Sequence, residues 1–200
     1  MTKRKVWSTA KAGAIQRLKR LDETLLALAA DEFEVSVKAV GLNFADIFAL
    51  TGLYSATPEG RFIPGLEYSG VVSKVGKNCT RFKLGDRIMA VSRFGGYASV
   101  IQSKEDYLVS LPDDWSFSQG AAYLPQTLTA WYALHDLGAV KPGYDVLEQS
   151  AAGGVGLQAM QLIKALGANS IGTVSSQYKL DFFSDLGFVA WIRDPSFAKQ

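Results

Sequence analysis

The sequence predicts an α/β chain: an N-terminal part rich in short strands, then a part in which strand and helix alternate. Three observations carry that reading. Through residues 5–111, alternating apolar runs recur at short intervals and are cut off by glycine or proline. Residues 116–137 are apolar at helical spacing. From Tyr144 onward, a short apolar run, a glycine-rich turn, an amphipathic stretch and a second apolar run follow one another.

Lys5 to Thr9 reads as the first strand. Lys3, Arg4, Lys5, Lys11, Arg17, Lys19 and Arg20 all precede the first acid, a bias also found in transit peptides and basic arms; solvated strand flanks are the simpler account. Ile15, Leu18, Leu21, Leu25 and Leu28 have helical spacing, so local pattern alone predicts a helix over 14–30. Glu34 to Val40 (EVSVKAV) alternates valines, reads as a strand with one buried face, and ends at Gly41. Asn43 then caps a short helix carrying Ile47, Phe48 and Leu50, closed by Gly52-Leu53-Tyr54. Residues 55–64 are loop, with Pro58, Gly60 and Pro64. Gly65 to Val72 leads into another strand, and 86–91 and 97–101 are two more, punctuated by Gly76, Gly85 and Gly95-Gly96. Strands this short and close imply a small barrel-like or partly open β domain. Leu111-Pro112-Asp113 ends it, and a helix over 116–137 bridges to the α/β part.

The second part centres on Tyr144 to Ala168 (YDVLEQSAAGGVGLQAMQLIKALGA). Strand 145–149, helix 154–167, strand 170–174, helix 177–186 and strand 189–192 make one mononucleotide-binding half of a Rossmann sheet. The turn is a looser AxxGxxG-like frame around Ala151 and Gly154, with Gly153 and Gly156 added. Small residues there let the backbone approach a pyrophosphate, and the unpaired first-turn N–H groups point at it. Ala152, Gly153, Gly154, Val155 and Gly156 are therefore the candidate phosphate contacts. Folds that bind NAD usually carry Asp or Glu after the second strand. Here Ser175 and Ser176 stand there, with Lys179 one turn later. Hydroxyls and a cation suit a 2′-phosphate, so the expected cofactor is NADPH; the bland alternative for Lys179 is a solvated helix lysine.

Hydrophobic residues make up 48% and charged residues 20%, which argues for a packed core rather than disorder. A net charge of +2 gives no reason to expect nucleic acid. The single cysteine, Cys79, excludes an internal disulfide framework and a cysteine-cluster metal site, and the single histidine, His135, excludes a multi-histidine zinc site. His135, beside Asp136 in an apolar stretch, reads as structural. No apolar run reaches membrane-spanning length.

The order GLNFAD (41–46), GLY (52–54), PGLEYSGVV (64–72), GDR (85–87), GGYA (95–98), LTAWYAL (128–134) and SAAGGVG (150–156) resembles the medium-chain dehydrogenase/reductase superfamily. Within it the chain is most similar to the zinc-independent quinone oxidoreductase branch, which includes zeta-crystallin-like enzymes and the vesicle amine transport protein group. The resemblance implies a GroES-like β domain, residues 1–120, followed by the first half of a Rossmann NADP-binding domain, residues 121–200, with the active site in the cleft between them. It replaces the helix over 14–30 with a strand over Ile15–Leu21 and an irregular link over Thr24–Asp31. Zinc-dependent relatives carry cysteine where this chain has Asn43 and histidine where it has Leu66, so no metal is expected.

In that branch hydride passes from nicotinamide C4 to a quinone, or to the β-carbon of an enal or enone. The resemblance assigns donors to the carbonyl oxygen at Asn43 and Tyr54, with Asn43 also touching the cofactor, and places Thr129 at the nicotinamide amide. Asp46 and Glu67 read as structural polar anchors. Leu50 and Phe48 stand where relatives commonly have an arginine and a second aromatic hydroxyl, so no particular acceptor is implied. The family continues well past the position of Gln200, and its members are cytoplasmic homodimers; dimerisation of a C-terminally truncated chain stays open. So does the alternative of a catalytically impaired member acting as a nucleotide-binding or interaction protein.

Overall fold

A computed structural model of the chain describes residues 2–194. They fall into two units that part between Pro125 and Gln126.

In the first unit, β1 (Lys3–Ser8) pairs antiparallel with β2 (Lys19–Thr24), from Lys3 opposite Thr24 to Ser8 opposite Lys19. The helix that local spacing predicts over 14–30 does not form, and the strand expected at Ile15–Leu21 begins instead at Lys19, after a single 3-10 turn at Ile15–Arg17. The leucine spacing is not one buried face. Leu25 is buried and Leu18 packs on a cluster containing Leu50 and Phe62, whereas Leu26 is 82% exposed and Leu21 is also exposed. The hairpin instead pairs the backbone of two strands, which the local spacing of apolar residues does not report. Residues 25–29 are irregular, as the resemblance implies.

β3 (Glu32–Val40) leads to α1 (Phe44–Thr51), and then come β4 (Glu67–Val75), β5 (Arg87–Val91), β6 (Val100–Lys104) and β7 (Leu108–Ser110). Their sheet has the order β6-β3-β4-β5-β7, every neighbour antiparallel. Phe33, Val35, Tyr68, Val72, Ile88 and Leu108 fill its inner face together with Val6 of β1. Phe33 meets Phe82 edge to face at 5.7 Å. The strand expected at 97–101 starts at Val100, because residues 97–99 serve three separate partners. Tyr97 O accepts from Trp7 N–H, Ala98 bridges Val6, and Ser99 O accepts from Val37 N–H.

The helix expected over 116–137 is broken into α2 (Phe117–Ala121), α3 (Leu124–Trp131) and a wider π turn, Tyr132–Leu137. Pro125 has no N–H to continue the α2 ladder. At the far end Gly138 N–H reaches back to Ala133 O at 2.8 Å, one residue further than in an α-helix. His135 stacks on Trp131 with ring centres 4.5 Å apart, and its Nδ1 lies 2.7 Å from Asp136 Oδ1.

The second unit holds β8 (Asp145–Glu148), α4 (Gly154–Ala165), β9 (Asn169–Val174), α5 (Gln177–Asp185) and β10 (Val189–Ile192). The strands are parallel in the order β10-β9-β8. Ala159 and Ile163 of α4 pack with Ala130 and Leu134, while Met160 packs with Ala151, Val174 and Phe183. The helix thus buries two adjacent stripes. Among the described residues no helix is long and apolar enough to cross a membrane.

Candidate functional site

Two groups of polar residues stand out, one in each unit. The first is built at the start of α1. Gly41 ends β3 where only glycine fits: a Cβ there would lie 2.1 Å from Ala121 O and 2.4 Å from Glu67 Oε1. The chain then turns through Asn43, whose N–H donates to Asp46 Oδ2 at 2.8 Å. Asp46 is buried and is fully used, accepting also from Tyr97 OH at 3.0 Å and from Gly65 N–H at 3.1 Å. Gly65 has φ +101°, and a Cβ on it would strike the Tyr97 ring at 2.5 Å. Burial, with the Asp46 carboxylate beside it, pushes the Tyr97 phenol up from its ordinary value.

The Asn43 side chain closes a capping box with Asp46 at the start of α1, as its position in the sequence predicts. Its Nδ2 donates to Glu67 Oε1 at 2.9 Å. Glu67 is wholly buried, and its Oε2 has no partner among the described residues. Burial raises its carboxyl to about 7; the Asn43 bond lowers it and the Asp46 charge raises it further. One Nδ2 hydrogen of Asn43 is thereby left for a ligand. Tyr54 lies past the other end of α1, and the helix's eight residues separate the two by about 12 Å. Tyr54 packs on Ala49, Leu50 and Phe62, its backbone carbonyl accepts from the Thr57 hydroxyl at 2.6 Å, and no hydrogen bond joins it to Asn43.

The second group sits at the carboxyl ends of β8 and β9. Ser150 has φ +60°, a left-handed conformation at the strand-to-helix turn. Ala151 N–H donates to Thr173 O at 3.0 Å, which locks the turn to β9. A Cβ on Gly156 would come within 2.6 Å of Ala151 Cα, so this glycine lets α4 lie against the strand end. A Cβ on Gly154 would meet the Gln126 side chain at 2.5 Å. The first intrahelical bond is Leu157 N–H to Gly153 O, which leaves the N–H groups of Gly154, Val155 and Gly156 ahead of it.

A cavity of about 90 Å³ opens at this turn. It brings together four of the expected cofactor residues, Ala152, Gly153, Ser175 and Lys179, with Lys179 Nζ donating to Ser175 Oγ at 3.2 Å. It adds four that the glycine motif does not include, Ser150, Thr173, Val174 and Arg193. Arg193 was visible as a cation just past the third strand, but nothing in the spacing tied it to the turn. Gly154, Val155, Gly156 and Ser176 do not line the cavity; Ser176 is the N-cap of α5. Thr129 lies on the exposed side of α3. Among the described residues no group of three or more His, Cys, Asp or Glu could hold a metal ion.

Comparison with known proteins gives consistent matches. Residues 29–113 match the alcohol dehydrogenase GroES-like domain. Over 184 residues the chain is 42% identical to a quinone oxidoreductase of Salmonella typhimurium, a match covering 90% of this chain and 55% of that protein. The Escherichia coli quinone oxidoreductase, solved in complex with NADPH, superposes with a TM-score of 0.83 at 37% identity, covering 96% of this chain and 58% of that one. The CurK enoyl reductase superposes with a TM-score of 0.87 at 30% identity, covering 98% and 62%. The chain thus spans about half the length of the Salmonella relative.

Proposed function

The chain belongs to the quinone oxidoreductase branch of the medium-chain dehydrogenase/reductase superfamily, and from that premise we propose that it serves the NADPH-dependent reduction of a quinone or an α,β-unsaturated carbonyl without zinc. The observation that carries this is the cavity at the Ser150–Gly153 turn, walled by Ser175 and Lys179 and, among the described residues, lined by no acid. That lining fits a nucleotide with a phosphate on its ribose: Gly153 where the pyrophosphate needs room and a lysine where NAD-binding folds put a carboxylate, with the free N–H groups at the start of α4 following directly in the chain. NADPH, when bound, supplies the hydride.

The chain's own residues then have separable tasks. The 154–156 N–H groups and Lys179 hold phosphates. Thr129 serves the nicotinamide amide. Asn43 presents its remaining Nδ2 hydrogen to a carbonyl oxygen that gains negative charge, and Glu67 holds that amide in orientation. Tyr54 supplies a second hydroxyl donor. In this reading residues 1–120 are the catalytic domain and 121–200 begin the NADP-binding domain.

Titration of the chain with NADPH and NADH, followed by fluorescence or calorimetry, tests the reading. NADPH should bind more tightly, and Lys179→Glu should abolish that preference. Quinone turnover by the wild type, lost in Asn43→Ala, would support the reductase chemistry. NADPH binding without turnover would favour a nucleotide-binding protein instead, and binding of neither nucleotide would sink the proposal.

A further inference from the structure

Arg193 reaches the nucleotide cavity from a strand that the glycine motif does not include. β9 and β10 run parallel with Val174 opposite Ile192, so Ser175 and Arg193 leave the carboxyl ends of neighbouring strands. Arg193 is anchored by its backbone, its N–H donating to Val174 O at 2.8 Å. Its side chain is exposed and forms no ion pair with a described carboxylate. Lys179 comes to the same cavity from the first turn of α5. Two cations therefore share one small cavity whose other described lining residues are serines, a threonine and apolar or glycine positions, with no acid among them.

Like charges gathered without a counter-charge repel, and an anion entering between them removes that repulsion. The two side chains are also complementary. Lysine is a compact point charge, whereas the planar guanidinium grips two phosphate oxygens at once. Thr173 lines the same cavity, is buried, and carries a hydroxyl with no partner among the described residues.

We propose that Arg193 is a second cationic determinant of cofactor choice, gripping with Lys179 the phosphate ester on the adenosine ribose that distinguishes NADPH from NADH. The proposal rests on the nucleotide reading above and extends it to a residue outside the motif.

The test is calorimetric titration of the whole chain, in phosphate-free buffer, with 2′,5′-ADP, which carries that phosphate, and with 5′-AMP, which lacks it. Arg193→Ala should weaken 2′,5′-ADP on the order of 10- to 100-fold and leave 5′-AMP unchanged. Arg193→Lys should recover part of the loss, since it restores the charge but not the fork. Because Arg193 is exposed, both variants should melt with the wild type. If the wild type prefers 2′,5′-ADP and Arg193→Ala binds it equally well, the Arg193 assignment falls while the NADPH reading stands. If the wild type does not distinguish the two probes, or binds neither, the 2′-phosphate reading falls and the role of Arg193 with it.

Discussion

Asp46 and Glu67 both touch Asn43, but only Asp46 has its oxygens fully engaged among the described residues. Glu67 titrates near 4.5 when unfolded and near 7 when folded. Between those values the folded chain holds the extra proton, so this group's contribution to stability is complete below pH 4.5 and is lost as pH rises through 7. Urea unfolding at pH 5 and pH 8 should show a loss on the order of 2–3 kcal/mol from this site, and Glu67→Gln should remove that component of the pH dependence. Asp46→Ala should behave differently. It would strand the Asn43 N–H, the Gly65 N–H and the Tyr97 hydroxyl, and should cost about 3 kcal/mol or more at either pH. Asn43 was legible as a helix cap and Asp46 and Glu67 as structural polar anchors, but that the three meet was not. The link to Tyr97 was not legible, because the Tyr97–Asp46 bond joins positions 51 apart through the shape of a loop.

The elements differ in how far their residues announced them. α4 was plain, since the strand before it, the glycine turn and the amphipathic stretch after it all agree. The bridging helix was not, because the spacing of apolar residues carries no warning of where the ladder breaks. Its punctuation lies in details: Pro125, the Gly138-to-Ala133 bond, and the cap of α2, where Ser116 Oγ accepts from Gln119 N–H at 3.2 Å and Ser116 N–H donates to Gln119 Oε1 at 2.8 Å. Ser116→Ala should cost about 1 kcal/mol by thermal or chemical unfolding. Gly156→Ala should do more. Its Cβ would meet backbone atoms of Ala151, so α4 must lift from the strand end, a cost of about 1–3 kcal/mol together with weaker nucleotide binding. The predicted helix over 14–30 failed for the opposite reason: five apolar residues kept the right period while their surroundings were those of a hairpin and a link.

At the scale of the whole chain, strand content and the alternation after Tyr144 sufficed to separate a β-rich part from an α/β part. Strand order did not follow from them. That β3 would lie between β6 and β4, with β7 at the far edge, depends on pairings between distant residues that no local pattern encodes. Those pairings set a timetable. Glu32 must find Lys104 and Val6 must find Ala98, whereas in the second unit Asp145 needs only Asn169 and Val189 only Ile171. Short loops close sooner than long ones, and a sheet of distant partners waits on the slowest of them. Pulse-labelled hydrogen exchange during refolding should therefore find the amides of β9 protected first. Those of β3 and β6 should follow later, although β3 lies nearer the N-terminus. Protection of β3 before β9 would mean that the order of assembly is set by something other than the span of the pairings.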